Sequence, residues 1–292
     1  MESRNALGEF LRARRELVRP EEVGISGGGM RRVPGLRREE VAMLARISPD
    51  YYLRLEQGRD RNPSPQVLRA LARVLRLDDA ATAYLMGLTA EGMSRRPRSP
   101  ARHPTEVVPA SIRQLIDGWT TSPAYVQNKL SDVLAVNAIA TALSPNYAPG
   151  ANLLRAVFLD PTERALRRDW EELTEEAVAS LRANAGFDMD DPRLLSLVGE
   201  LSVRSDRFRR LWARHDVRPK TGRISHLRHP QVGDLDLQSD KLLISGTDRL
   251  VLVVLHAEPG SRSAELLGIL SSLAASGDAM PARPTGDQSR NL

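Results

Sequence analysis

The side chains of this sequence most able to do chemistry are arginines, and they gather in its first third. Arg31, Arg32, Arg37, Arg38, Arg54, Arg59 and Arg61 are interleaved there with Ser48, Asp50, Tyr51 and Gln57. A guanidinium offers a rigid fork of donors that matches an oxyanion or the edge of a guanine. Other chemistries are poorly served. His226 and His229 in SHLRHP stand at i, i+3, but their flanks read as strand and turn and Pro230 follows at once, so no metal site is expected. DWEELTEE reads as a solvated helical face around Trp170. The serines lack a nucleophile-elbow context, and GISGGGM is not followed by the Gly-Lys-Ser/Thr of a phosphate loop. With no cysteine, disulfides, thiolate metal sites and cysteine nucleophiles are all removed. No catalytic residue is assigned, no cofactor is called for, and an enzyme is not expected.

Charge is distributed as these arginines imply. Residues 1–104 hold 20 arginines against 13 acidic residues, whereas residues 105–292 hold 22 basic and 24 acidic ones. Arginine over lysine (only Lys129, Lys220 and Lys241) fits a GC-rich genome, but that bias does not explain why the excess lies at one end. A basic third fits a polyanion partner. Hydrophobic residues make up 41% of the chain and the mean hydropathy is −0.35, as in ordinary globular proteins. Apolar runs such as Leu250–Leu255 fall far short of the ~20 residues that span a bilayer, and MESRNALGEF lacks the pattern of a secretory leader. A cytoplasmic protein with no membrane partner is expected.

The elements that must position these residues can be outlined from periodicity. Five helical patterns fill residues 5–90. The first, Ala6–Leu17, puts Leu7, Phe10, Leu11 and Leu17 on one stripe. A Gly-rich stretch, GISGGGMRRVPG, cannot be helix interior, and two helices follow within RREEVAMLARISPDYYLRLEQG. The fourth starts near Ser64-Pro65 and carries Val67, Leu68, Leu71, Val74 and Leu75; the fifth runs from Asp78-Asp79 to Leu88. Residues 91–106, rich in Pro, Arg and Ser, read as a linker. Beyond it, Ile112–Trp119 reads as helix and AYVQNKLSDVLAVN as two short strands around a turn. Residues 160–186 and 190–215 read as helical, and GRISHLRH, GDLDLQS, KLLIS and LVLVVLHA as strands. A last helix, Ser263–Ala274, precedes a tail, 276–292, expected to be disordered. The fold class is α+β: an all-α five-helix domain at 1–90, then a mixed α/β domain with an antiparallel sheet at 107–275.

Within residues 37–58, two helices joined by a tight turn would direct Val41, Ala45, Ile47, Tyr52 and Leu55 inward. Ser48 would cap the second helix, with Pro49 at its first position. Asp50, Tyr51 and Arg54 would face outward. That is a helix-turn-helix, whose second helix enters a DNA major groove. On that reading Arg54, Asp50 and Tyr51 reach base edges, while Arg37, Arg38 and Ser48 lie at helix starts against phosphates. Gln57, Arg59 and Arg61 would hold the backbone, and Arg31 and Arg32 would form an added arm. The partner is double-stranded DNA.

The same residues carry a family resemblance. RREEVAMLARISPDYYLRLEQG resembles the XRE/Cro-like helix-turn-helix pattern through its terminal Glu-Gln-Gly. FLRARRE, PGLRREEVA, SPDYYLRLEQGRDRNPSPQVLRALARVLRLDD, FLDP, DWEELTEEAVASLRANAG, LVGELSVRSDRFRRLWARHDVR, HPQVGDLDL and LHAEPGS resemble the MmyB-like regulators over residues 5 to 275. One departure is Arg46, where that turn usually carries glycine; a left-handed arginine would cost roughly 1 kcal/mol, or Arg46 would reach a phosphate.

The resemblance implies a PAS-like second domain with a hydrophobic pocket for a non-covalent small hydrophobic ligand such as a fatty acid. Candidate lining residues are the aromatics Trp119, Tyr125, Phe158, Trp170, Phe208 and Trp212, with Asn128, Asn137, Arg182 and His226 as polar anchors on elements that read as buried. Each has a plainer reading, the aromatics as core and the polar groups as partners of local backbone. The whole reads as a homodimeric transcription regulator. The alternatives are a regulator whose second domain only dimerises, and a helix-turn-helix head fused to an enzyme domain.

Overall fold

The computed structural model describes residues 5–25, 34–60, 62–90, 106–185, 191–217, 222–247 and 249–277. The chain divides into two compact units, one of residues 1–101 with 175–219, the other of residues 102–174 with 220–292.

In the first unit, α1 (Ala6–Leu17), α2 (Arg38–Ala45), α3 (Pro49–Glu56), α4 (Pro65–Val74) and α5 (Asp79–Ala90) follow the sequence pattern closely. Asn5 accepts a hydrogen bond from the Gly8 amide, Ser48 from Tyr51 and Ser64 from Val67, so three helices begin at side-chain caps. Phe10, Leu11, Leu36, Val41, Tyr52, Leu55, Leu71 and Leu85 are each fully buried in one cluster. α1 crosses α3 at Gly8, where a Cβ would fall 2.1 Å from the Glu56 carbonyl oxygen. Also in this unit are the end of α10 (Trp170–Ala185), α11 (Pro192–Arg204) and α12 (Asp206–Ala213).

The second unit holds α6 (Ala110–Asp117), α7 (Ala138–Leu143), α8 (Leu153–Leu159), α9 (Pro161–Leu166), the start of α10, and α13 (Arg262–Ala275). Its five strands are β1 (Ala124–Gln127), β2 (Val133–Val136), β3 (Arg223–His229), β4 (Gly233–Leu243) and β5 (Val251–His256). They form one antiparallel sheet in the order β2-β1-β5-β4-β3. Registers pair Tyr125 with Val136, Val126 with Leu252, Leu242 with Leu252, and Leu227 with Leu235. Every residue of β1 is buried because clusters lie on both of its faces: Tyr125 and Val253 on one side, Ala124, Val126 and Leu252 on the other. β4 instead alternates, with Leu235, Leu237 and Ser239 inward and Asp234, Asp236, Gln238 and Asp240 outward, as expected of a sheet face open to water.

Three readings of the sequence change. GDLDLQS and KLLIS are one continuous strand, β4, rather than two. The helical stretches 160–186 and 190–215 are each two helices, α9 with α10 and α11 with α12. Two short helices, α7 and α8, stand where none was expected, capped by Asn137 and Asn152.

Candidate functional site

In the helix-turn-helix segment, α2 starts where Glu40 accepts the Arg37 amide at 2.7 Å. It ends at Arg46, which adopts the left-handed conformation, φ 57° and ψ 43°. Amides of Arg46 and Ile47 then return to the Met43 and Ala42 carbonyls, at 3.2 and 3.0 Å, closing the turn. Ile47 is partly buried against the core, and Tyr52 and Leu55 are fully buried, which anchors α3 by one face. On its other face the Arg54 guanidinium is paired with the Asp50 carboxylate and lies 5.6 Å from the centroid of the Tyr51 ring. Asp50 is exposed, while Tyr51 and Arg54 are half-buried. An exposed i, i+4 pair contributes only about 0.3–0.5 kcal/mol, so Arg54 is pre-aligned along α3 at little cost to release. Gln57 and Arg59 are exposed just beyond α3. Arg31, Arg32 and Arg61 lie outside the described residues.

Behind α3 is a buried ion network that the sequence reading missed. Glu56, 8% exposed, accepts Arg15 Nε and Arg38 Nε, each at 2.6 Å. Arg15 also donates to the Leu36 carbonyl at 2.8 Å. Burial alone would raise the Glu56 pKa; bonding by Arg15 and Arg38 outweighs it and holds the carboxyl below its usual range. Arg38 is therefore tied to the end of α3 while its side chain stays 45% exposed.

The ten residues expected to line a pocket do not all fall in one unit. Arg182, Phe208 and Trp212 belong to the first, the rest to the second. Asn137 caps α7, accepts the Ala124 amide at 3.0 Å, and donates to the carbonyls of Ile116, Trp119 and Ser122. Asn128 accepts the Leu130 and Asp132 amides and donates to Glu106 and Asp132. Trp170 donates to the Val157 carbonyl at 2.8 Å, with Arg164 stacked 4.3 Å from its ring. Trp119 and Phe158 are half-buried, Trp119 packing on the cluster around Val126. His226, expected on a buried element, lies on the open sheet face, its side chain 42% exposed beside Asp236 at 2.6 Å. It is His229 that turns inward, to the Ala142 carbonyl at 3.1 Å, and burial lowers its pKa. The i, i+3 spacing on a strand thus separates the two imidazoles onto opposite faces. Among the described residues no group of three His, Cys, Asp or Glu could hold a metal.

Tyr125 does lie at a buried polar centre, one unseen in the sequence. Its ring stacks on Tyr147 with centroids 4.6 Å apart. Arg167 donates to the Tyr147 hydroxyl at 2.6 Å and to Glu163 at 2.8 Å, and Glu163 accepts the Ser144 hydroxyl at 2.7 Å. Burial would lower the Arg167 pKa, but Tyr147 and Glu163 reverse the shift and keep it charged. The only sequence signal was the i, i+4 spacing of Glu163 and Arg167, which on a short helix reads as a surface pair.

Residues 6–85 match the model of a helix-turn-helix domain, and residues 108–270 match that of the MmyB-like transcription regulator ligand binding domain. No curated protein matches the chain significantly.

Proposed function

Since this chain belongs to the family of MmyB-like transcription regulators, we propose that it binds operator DNA sequence-specifically and responds to a small hydrophobic ligand held by residues 108–270. The observation that carries the DNA half is the two-sided build of α3: Tyr52 and Leu55 are fully buried, while Asp50 and Arg54 form an ion pair on the outward face, with the Tyr51 ring beside Arg54 at the edge of the core. Placed in a major groove, that face sets Arg54 against base edges, with Ser48, Arg37 and Arg38 at phosphates. Two copies would read half-sites about 34–36 Å apart or a multiple of that. The ligand, of fatty-acid-like chemistry, would act in the cytoplasm by its different affinity for two arrangements of the regulator.

Duplexes selected from a random pool by the wild-type chain supply the test. Arg54→Ala is expected to weaken the selected duplex by ~10-fold or more, as loss of a bidentate arginine–guanine contact of about 1–3 kcal/mol implies, with little effect on an unrelated duplex. An equal loss on both would make Arg54 a phosphate contact.

A second reading, a domain that only dimerises, draws support from Asn128 and Asn137, whose amides are committed to their own chain. Mass spectrometry of small molecules released by denaturing the purified protein separates the two. A stoichiometric lipid supports the ligand reading; an empty protein that sediments as a dimer supports the other.

A further inference from the structure

The helices α10–α12 lie within the family's ligand-binding region, yet residues 175–219 form one compact unit with the helix-turn-helix helices. Their attachment to α1 includes a buried polar contact. Arg182, on α10, is 1% exposed. It donates to the Trp212 carbonyl at 2.6 Å, lies 2.9 Å from His215 Nδ1, and stacks 4.0 Å from the Trp212 ring centroid. Burial raises the pKa of Tyr84 on α5, a shift the Arg182 charge opposes, and Tyr84 packs on Phe10 of α1. Arg14 of α1 reaches Asp216 at 2.8 Å, both side chains about four-fifths buried. Asp216 is held from its own side by Arg214 at 3.0 Å, and Arg214 by Glu175 at 3.3 Å. Val217 and Ala183 of this segment join the apolar core of the head.

An attachment needed only for stability would be better served by apolar packing, because a buried arginine gives up hydration that its new partners must replace. Among the described residues no carboxylate bonds Arg182 directly and its Nε has no partner. Such a seam is specific but releasable. It is also wired to the DNA-reading helix through neighbouring residues of α1: Arg14 takes Asp216, and Arg15 takes Glu56, which holds Arg38. The outer face of α3 takes no part in the seam, so the docked helices grip the head without covering it.

We infer that α10–α12 form a clamp on the DNA-binding head, latched by Arg14–Asp216, whose closed state holds α1 and α3 in the geometry that reads DNA. This rests on the proposed reading of α3 as the DNA-recognition helix. Opening the clamp is therefore expected to weaken specific binding.

The test uses the full chain, the duplex it selects from a random pool, and charge reversal across the latch. Asp216→Arg adds positive charge, so simple electrostatics predicts tighter binding to DNA. The clamp predicts the reverse, at least fivefold weaker binding, with faster hydrogen exchange in both α12 and α1. Arg14→Asp combined with Asp216→Arg restores the pair and is expected to return affinity to within about twofold of wild type. Should Asp216→Arg fail to fold, Asp216→Asn removes the charge from the latch and is expected to weaken binding two- to threefold. Unchanged or tighter binding while exchange shows the seam open would overturn the clamp, as would a double variant no better than the single ones. Failure of the wild type to select any duplex would instead overturn the DNA reading beneath it.

Discussion

At the scale of single residues, Glu56 decides more than any arginine the sequence singled out. Arg38 was legible as a surface cation at a helix start; its bond to a carboxylate 18 positions away was not, because nothing local specifies it. The carboxylate is nearly fully buried between two guanidiniums, and losing one member of such a network leaves charge uncompensated. Glu56→Gln is expected to destabilise the head by about 3 kcal/mol, read from urea unfolding at neutral pH. The pH dependence has a definite sign. A carboxyl whose folded pKa is lowered contributes stability above its unfolded value, about 4.3, and loses it as pH falls through the folded value. The wild type should therefore lose stability below about pH 4.3 more steeply than the variant. Parallel profiles would mean that Glu56 is not the group responsible.

At the scale of elements, helices with full periods and caps were legible and the shortest ones were not. Ser48-Pro49 and Ser64-Pro65 announced α3 and α4 because cap and first-turn proline are local signals. α7 has six residues, too few to display a helical period, and its cap, Asn137, sits where a strand ends. β4 read as two strands because Asp240-Lys241 places a polar pair where alternation is lost, although the ladder to β5 continues through Leu243. The turn at Arg46 left two explanations open, and its left-handed backbone now makes them separable. Arg46→Gly should stabilise the chain by about 0.5–1 kcal/mol through relief of left-handed strain, while the salt dependence of DNA binding stays as it is. A slope shallower by about one unit would show that Arg46 neutralises a phosphate. Gly8 gives the opposite case: alanine there gains about 1 kcal/mol of helix propensity, but its Cβ would overlap the Glu56 carbonyl. Gly8→Ala is expected to lower stability by about 2 kcal/mol net, measured by thermal unfolding; unchanged stability would mean that α1 can shift freely on α3.

At the scale of the whole molecule, the order of a helical head followed by a mixed α/β region was legible from the change in periodicity. The membership of residues 175–219 was not, since Arg14 and Asp216 are 202 positions apart and each reads as a solvated charge. That seam should be sensitive to acid. Burial, then the positive charges of Arg182 and Arg14, push the His215 imidazole down to about 3. Unfolded histidine titrates near 6.5. Between those values the unfolded chain takes up a proton that the folded chain refuses, so stability falls as pH drops from about 6.5 toward 3. Inward-facing His229 is shifted the same way and adds to the slope. Comparing wild type with His215→Gln isolates the first contribution. Between pH 7 and pH 5 the wild type should lose about 2 kcal/mol more than the variant, the equivalent of roughly 1.5 pKa units. An identical loss in both proteins would mean that His215 takes up its proton without unfolding, as it would if the seam opens before the rest of the molecule does.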